Sequence, residues 1–333
     1  MSAAPARSRL GSQHEVRGRG EAAMVPDVEP RSYYGHPVLK QPVWKPEIPF
    51  YLFTGGLGGT SAALAVLAGA RGNDELERRA WLAAMAGVGA SPALLVSDLG
   101  RPERFLNMLR LFKVTSPMSV GAWILAGSGA ATTVAAADAW TGIVPEPAGR
   151  AARAAAAVLG LPLTTYTAAL LANTAIPVWH EARAILPFVF AASGAASAGA
   201  AALLITPPRS AAPARRLAVA GAAAVGASMH LMEHRLGEAG EPYRNGAAGT
   251  LKRAAVALTS TGAAVALLAG RRRDGAVAAG AMILGGGVCE RWSIFRAGFQ
   301  SAADPRYTVA PQRRAIRDGL RRGASRRRAR PQA

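Results

Sequence analysis

Asp98, Tyr166, Tyr51, Glu47, Asp138, His230 and Glu233 stand within or at the ends of long apolar runs, where an ionisable side chain is costly to keep. The residue types suit proton and hydrogen-bond chemistry. A phenol such as Tyr166 or Tyr51 donates to a carbonyl oxygen, and a carboxylate such as Asp98 relays protons between a reacting group and water. Arg101, three residues beyond Asp98, supplies a fixed positive charge that tunes its neighbour. His230, Glu233 and Glu47 are further groups for proton transfer or for docking a partner. The same inventory argues against resident redox centres. Cys289 is the only cysteine, so there is no intrachain disulfide and no thiolate cluster for iron–sulfur or structural zinc. The five histidines are His14, His36, His180, His230 and His234. Only His180 and His230 could be improvised into a bis-histidine haem site, and no metal site is expected.

These side chains need elements that cross a lipid bilayer. Eight apolar stretches lie near 49–70, 80–97, 117–140, 154–173, 184–206, 215–234, 252–270 and 275–295. Each approaches the ~20 residues that a helix needs to span the hydrocarbon core. The expected class is therefore all-α, an integral membrane protein of about eight transmembrane helices. An even count puts both termini on one side, here called the near face. Asp98 ends span two at that face, Tyr166 lies in the second half of span four, and His230 and Glu233 close span six. Glu47 and Tyr51 open span one, and Glu290 and Arg291 close span eight. Asp138 is the main ionisable residue bordering a span at the far face. With Thr132 and Thr133 it could begin a proton path, although an ordinary helix-end anchor accounts for it more simply. The crowding at the near face suggests a polar cavity opening there, beside a partner or substrate.

Charge sets the topology. The formal net charge is +19, with seven Lys or Arg between Met1 and Lys45 and ten Arg after Gly298. A tail such as RRGASRRRAR could contact nucleic acid, but behind eight apolar spans it reads as a topology and lipid-headgroup signal, and no nucleic-acid partner is expected. The tails place both termini in the cytoplasm. The short loops carry nine basic residues on the near face and eleven on the far face, so they cast no vote. Residues 1–48 form a basic, Pro-rich arm without a signal-peptide core, and 299–333 a basic tail.

Four segments carry more specific information: LFTGGLGGTS at 52–61, SDLGRPERFLNML at 97–109, TSPMSVGAW at 115–123 and FRAGFQSAADPRY at 295–307. Gly55, Gly56, Gly58 and Gly59 let span one approach a neighbouring helix or a flat ligand closely. PERFLNML has the pattern of a short interfacial helix, and Ser116-Pro117 that of a helix start. In order and spacing these segments resemble the NrfD/PsrC family, the integral-membrane subunit of polysulfide reductase and related molybdoenzyme complexes. The resemblance runs over roughly 33–310 and is strongest in the first four spans. It implies two four-helix bundles, 49–182 and 183–298, and no haem or metal in this chain. It also implies a quinone (menaquinone or ubiquinone) site in the first bundle, beside an iron–sulfur, ferredoxin-like subunit wired to a molybdopterin catalytic subunit. Tyr166 matches the family's tyrosine near the quinone and Asp98 its acidic residue ending span two. Some relatives place Asn and His at the start of span one, where this chain has Glu47 and Tyr51. Gly55, Gly56 and Gly59 would leave room for the flat headgroup.

The expected function is that of a membrane subunit exchanging electrons between the iron–sulfur partner and the quinone pool, in a complex of polysulfide reductase or formate dehydrogenase type. The chain is not catalytic alone. Quinone reduction takes two electrons and two protons, which the donors and carboxylates above could position and relay. The alternatives are a secondary transporter, with breaks at Pro92, Pro162 and Gly285–Gly287, and a haem-free membrane anchor for a soluble enzyme.

Overall fold

A computed structural model describes residues 38–99 and 102–309, with Arg313, Ile316, Arg317 and Gly319 beyond them; the side chains of Pro102 and Arg104 are not among those described. Arg101, most of the N-terminal arm and most of the basic tail lie outside the described residues. The secondary structure described is helical throughout. Its α-helices are α1 (Glu47–Gly69), α2 (Asp74–Asp98), α3 (Pro117–Thr141), α4 (Glu146–Ala172), α5 (Pro177–Glu181), α6 (Leu186–Ile205), α7 (Ala212–Leu236), α8 (Gly246–Leu268) and α9 (Arg273–Ala303). Short 3-10 segments occupy Pro102–Leu109, Ala182–Ala184 and Gly237–Tyr243.

Local chemistry explains several of these boundaries. Asn73 caps α2, its side chain accepting the Leu76 N–H at 3.2 Å, and Asp74, Glu75 and Glu77 fill a first turn that favours negative charge. Ser116 caps α3 through the Ser119 N–H, and Pro117 takes the first helical position, as the sequence predicts. Gly142 ends α3 at φ 65°, a conformation that favours glycine. Pro92 and Pro162 lie inside α2 and α4 without ending them, and Gly285–Gly287 lie inside α9. The broken helices that a transporter reading requires are thus absent at these three places. The eighth apolar stretch was expected to close by about 295, yet α9 runs on to Ala303. Nothing in FRAGFQSAA breaks a helix; Asp304-Pro305 does. Glu290 and Arg291 consequently lie within the helix and not at its end.

Among the described residues, six helices are long and apolar enough to cross a membrane: α1, α2, α3, α4, α6 and α8. The other two long helices are more polar, α7 through Arg215, Arg216, His230, Glu233, His234 and Arg235, and α9 through Glu290 and Arg291. Outward faces carry large apolar residues such as Val158, Phe188 and Leu268. The interior is dominated by Ala, Gly and Leu, as close packing in lipid favours.

α1 is the central element, packed against α2, α4, α6 and α9. α3 packs on α2 and α4; α6 packs on α7 and α9; α8 packs on α7 and α9. Small residues bring α1 to its neighbours. A methyl group on Gly59 would collide with the backbone of Gly160 on α4, and one on Gly58 with Val88 and Gly87 on α2. At the near end an aromatic set ties the approach to α1 to α5 and α9. Trp44 stacks on Trp179 at 5.5 Å between ring centres, and Trp179 donates its indole N–H to the Ile294 carbonyl at 2.8 Å.

Candidate functional site

The near ends of α1 and α2 bring several of the predicted residues together. Asp98 is half-buried, and its Oδ1 accepts the backbone N–H of Lys45 at 2.8 Å. The Lys45 ammonium donates in return to the Ser97 carbonyl at 3.3 Å. Asp98 therefore fastens the segment entering α1 to the end of α2. Two residues past Lys45, Glu47 begins α1, and Tyr51 follows one turn later on the same helix face. The Tyr51 side chain is 1% exposed, and its hydroxyl has no hydrogen-bond partner among the described residues. One carboxylate oxygen of Glu47, Oε2, is likewise buried and unpartnered. A buried polar group without a partner costs about 1–3 kcal/mol, so two on one helix face mark a place that a ligand, a water or a partner group would stabilise.

Tyr166 lies on α4, half-buried, with its ring seated where Gly121 of α3 leaves space. It packs against the same apolar cluster to which Tyr51, Leu125 and Leu163 belong. Its hydroxyl makes no hydrogen bond to any described residue. The glycines of α1 divide their roles. Gly56 faces Gly194 and Thr164, with an Arg291 guanidinium nitrogen 3.5 Å from where a Cβ would stand. Gly59 is filled by Gly160 and Thr164, whereas at Gly55 the nearest atom is the Ser91 hydroxyl at 3.9 Å. Close helix approach, one of the two uses open to these glycines, takes Gly58 and Gly59, whereas a Cβ at Gly55 or Gly56 would meet only ordinary contacts.

The remaining predicted residues stand elsewhere. Asp138, near the end of α3, accepts from Arg153 of α4 at 2.8 Å, and the same guanidinium lies 3.7 Å from Glu77 of α2. Trp81 donates to Glu77 at 3.3 Å. Asp138 is thus part of a cluster joining three helices at the far end. His230 and Glu233 sit on α7, away from α1, and Glu233 holds Lys252 of α8 through both carboxylate oxygens, at 3.0 and 2.8 Å. Lys45 and Lys252 were not anticipated, because a lysine at a helix end reads as an ordinary anchor. Glu290 and Arg291, 3% and 1% exposed, are the most deeply buried acid–base pair described, 3.2 Å apart. Ser193 donates to Glu290 at 2.5 Å and Arg291 to the Phe190 carbonyl at 3.2 Å. Their adjacency in an apolar run was the available signal.

Two phenols outside the spans have perturbed protonation. Burial pushes the Tyr243 hydroxyl up, aided by the charges of Glu290 and Glu233, and that hydroxyl has no partner among the described residues. Burial also raises Tyr307, whose hydroxyl donates to Glu241 at 3.1 Å and accepts from Arg306 at 2.8 Å. That cluster fastens the end of α9 to the 3-10 segment after α7. Among the described residues no group of three or more His, Cys, Asp or Glu could hold a metal ion.

A protein-family model described as "Polysulphide reductase, NrfD" matches residues 37–215, more than half of the chain. The matched region includes Glu47, Tyr51, the glycines of α1, Asp98, Arg101, Asp138 and Tyr166, and it ends before His230 and Glu233. No curated protein matches the chain.

Proposed function

The chain belongs to the NrfD polysulphide reductase family of membrane subunits, and from that premise we propose that it exchanges electrons between the quinone pool and an iron–sulfur, ferredoxin-like partner. Family membership over the half that holds α1–α4 carries this reading, since such subunits occur in quinol-linked oxidoreductase complexes. The partner serves a molybdopterin enzyme of the polysulfide reductase or formate dehydrogenase type. All eight long helices cross the membrane, α1–α4 as one four-helix bundle and α6–α9 as a second. The near face docks the iron–sulfur subunit and is cytoplasmic.

The quinone headgroup lies at the near ends of α1, α2 and α4. Tyr166 and Tyr51 donate to its carbonyl oxygens, and the free hydroxyl and small neighbour at Gly55 support this placement. For each quinone reduced, two electrons arrive from the partner and two protons from the near-face water. Asp98 and Glu47 relay those protons between water and the headgroup oxygens, and Arg101 biases the charge beside Asp98. Reversal of both flows gives quinol oxidation.

The test is electron transfer in membranes carrying the whole complex. Oxidation of the enzyme's own substrate is followed once with a soluble dye as acceptor and once with a short-chain quinone. Tyr166→Phe should slow the quinone reaction and leave the dye reaction intact. Quinone rates unchanged from the wild type in Tyr166→Phe, Tyr51→Phe and Asp98→Asn would reduce the protein to a membrane anchor.

A further inference from the structure

The helices α6 and α7 pack tightly along their length, as do α8 and α9, but α7 and α8 meet more loosely. Between them lies a cavity of about 660 Å3, backed by α6 and α9. Its lining is graded along the membrane normal. At the near-face mouth stand His230, Glu233 and Lys252. Somewhat deeper is the Ser193–Glu290 pair, and beyond it the wall is mostly apolar, interrupted by the hydroxyls of Ser197, Thr259 and Ser260, and ends near Leu267 and Ile283. Val256 and Leu267, both in the wall, are 55% and 66% exposed, so the cleft is open sideways to where lipid would lie.

The donors at the mouth define what it would hold. An ammonium group has three N–H donors, and Lys252 uses two on the oxygens of Glu233, which leaves one. The His230 ring has no partner among the described residues. The carboxylates nearby already have partners, Glu233 in Lys252 and Glu290 in Arg291 and Ser193. The remaining Lys252 N–H and an N–H of the His230 ring are donors that an anionic oxygen group can accept from. A phosphate at the depth of a helix end, with an apolar channel running inward from it, fits a lipid seated in its own leaflet.

We propose that the α7–α8 cleft is a phospholipid site, with the phosphate at His230 and Lys252 and one acyl chain lying inward past Glu290 towards Leu267. The site is separate from the quinone pocket and rests only on the chain's place in a membrane. Bound lipid fills the gap that these two helices leave and braces one against the other.

Gly226 provides a mild way to fill the cleft. It lines the cavity, and a Cβ there would meet no other atom within 4 Å. Leucine at a helix position also carries better intrinsic propensity than glycine. The full complex is extracted in mild detergent and examined by native mass spectrometry. Its melting temperature is then followed as dioleoylphosphatidylglycerol is added. The wild type should retain a phospholipid adduct and gain several degrees on lipid addition. Gly226→Leu, and Val256→Phe from the opposite wall, should lose both the adduct and the gain while keeping quinone-linked turnover. An adduct unchanged in both variants, an adduct that proves to be quinone, or loss of a partner subunit from both variants would each overturn the proposal.

Discussion

Two polar atoms on the first turns of α1 are the sharpest feature at the residue scale. The Tyr51 hydroxyl and Glu47 Oε2 are buried without partners, although a protein interior ordinarily satisfies such groups. If Tyr51 serves a substrate, removal of its hydroxyl should separate stability from activity. Tyr51→Phe is expected to hold or raise the melting temperature, since it removes an unpaired polar atom. The same change should lower quinone-linked turnover roughly 3–10-fold, in keeping with a hydrogen bond of about 0.5–1.5 kcal/mol. A thermal melt and an activity assay on one preparation decide it; a drop in melting temperature with unchanged turnover would make the hydroxyl a packing group. The types Tyr51, Tyr166 and Asp98 could be read from sequence as hydrogen-bond and proton groups. That Asp98 also fastens Lys45 could not, because the pairing spans 53 positions and depends on how α1 meets α2.

At the element scale, the eight apolar stretches correspond to the eight long helices, and the Ser116-Pro117 start was legible from cap chemistry alone. The extent of α9 was not, because hydropathy fades where the helix leaves the apolar layer while backbone hydrogen bonding continues. Contacts between helices follow from the small residues. Gly160→Leu should force α4 away from Gly59 of α1, with an overpacking cost of about 1–3 kcal/mol seen as a lower melting temperature. At the far end, Arg153 neutralises both Asp138 and Glu77. Arg153→Ala leaves those carboxylates facing each other and should destabilise the protein by about 1–3 kcal/mol, the partial exposure of Arg153 having reduced the loss of a fully buried pair. Asp138→Asn should leave proton uptake per electron unchanged; a changed ratio would make the cluster part of a proton path and not a clasp.

For the whole molecule, the sequence carried the membrane class, the helical fold and the family. The arrangement of α6–α9 lay beyond its reach. His230, Glu233 and Lys252 look like separate helix-end anchors in the chain, and only the loose contact of α7 with α8 makes them the mouth of one cavity. The buried pair Glu290–Arg291 links that half to α1, since Arg291 reaches towards Gly56. On the function proposed, the polar groups at the near ends of α1, α2 and α4 position a quinone and its protons. Membership of the NrfD family implies partnership with oxidoreductase subunits. The most direct measurement is purification of the tagged protein from its native membranes in mild detergent, followed by identification of every co-purifying chain and an optical spectrum. A ferredoxin-like iron–sulfur protein and a molybdenum enzyme should appear in fixed proportion, with no haem band belonging to this subunit. A solitary chain without any redox partner would contradict the proposed function.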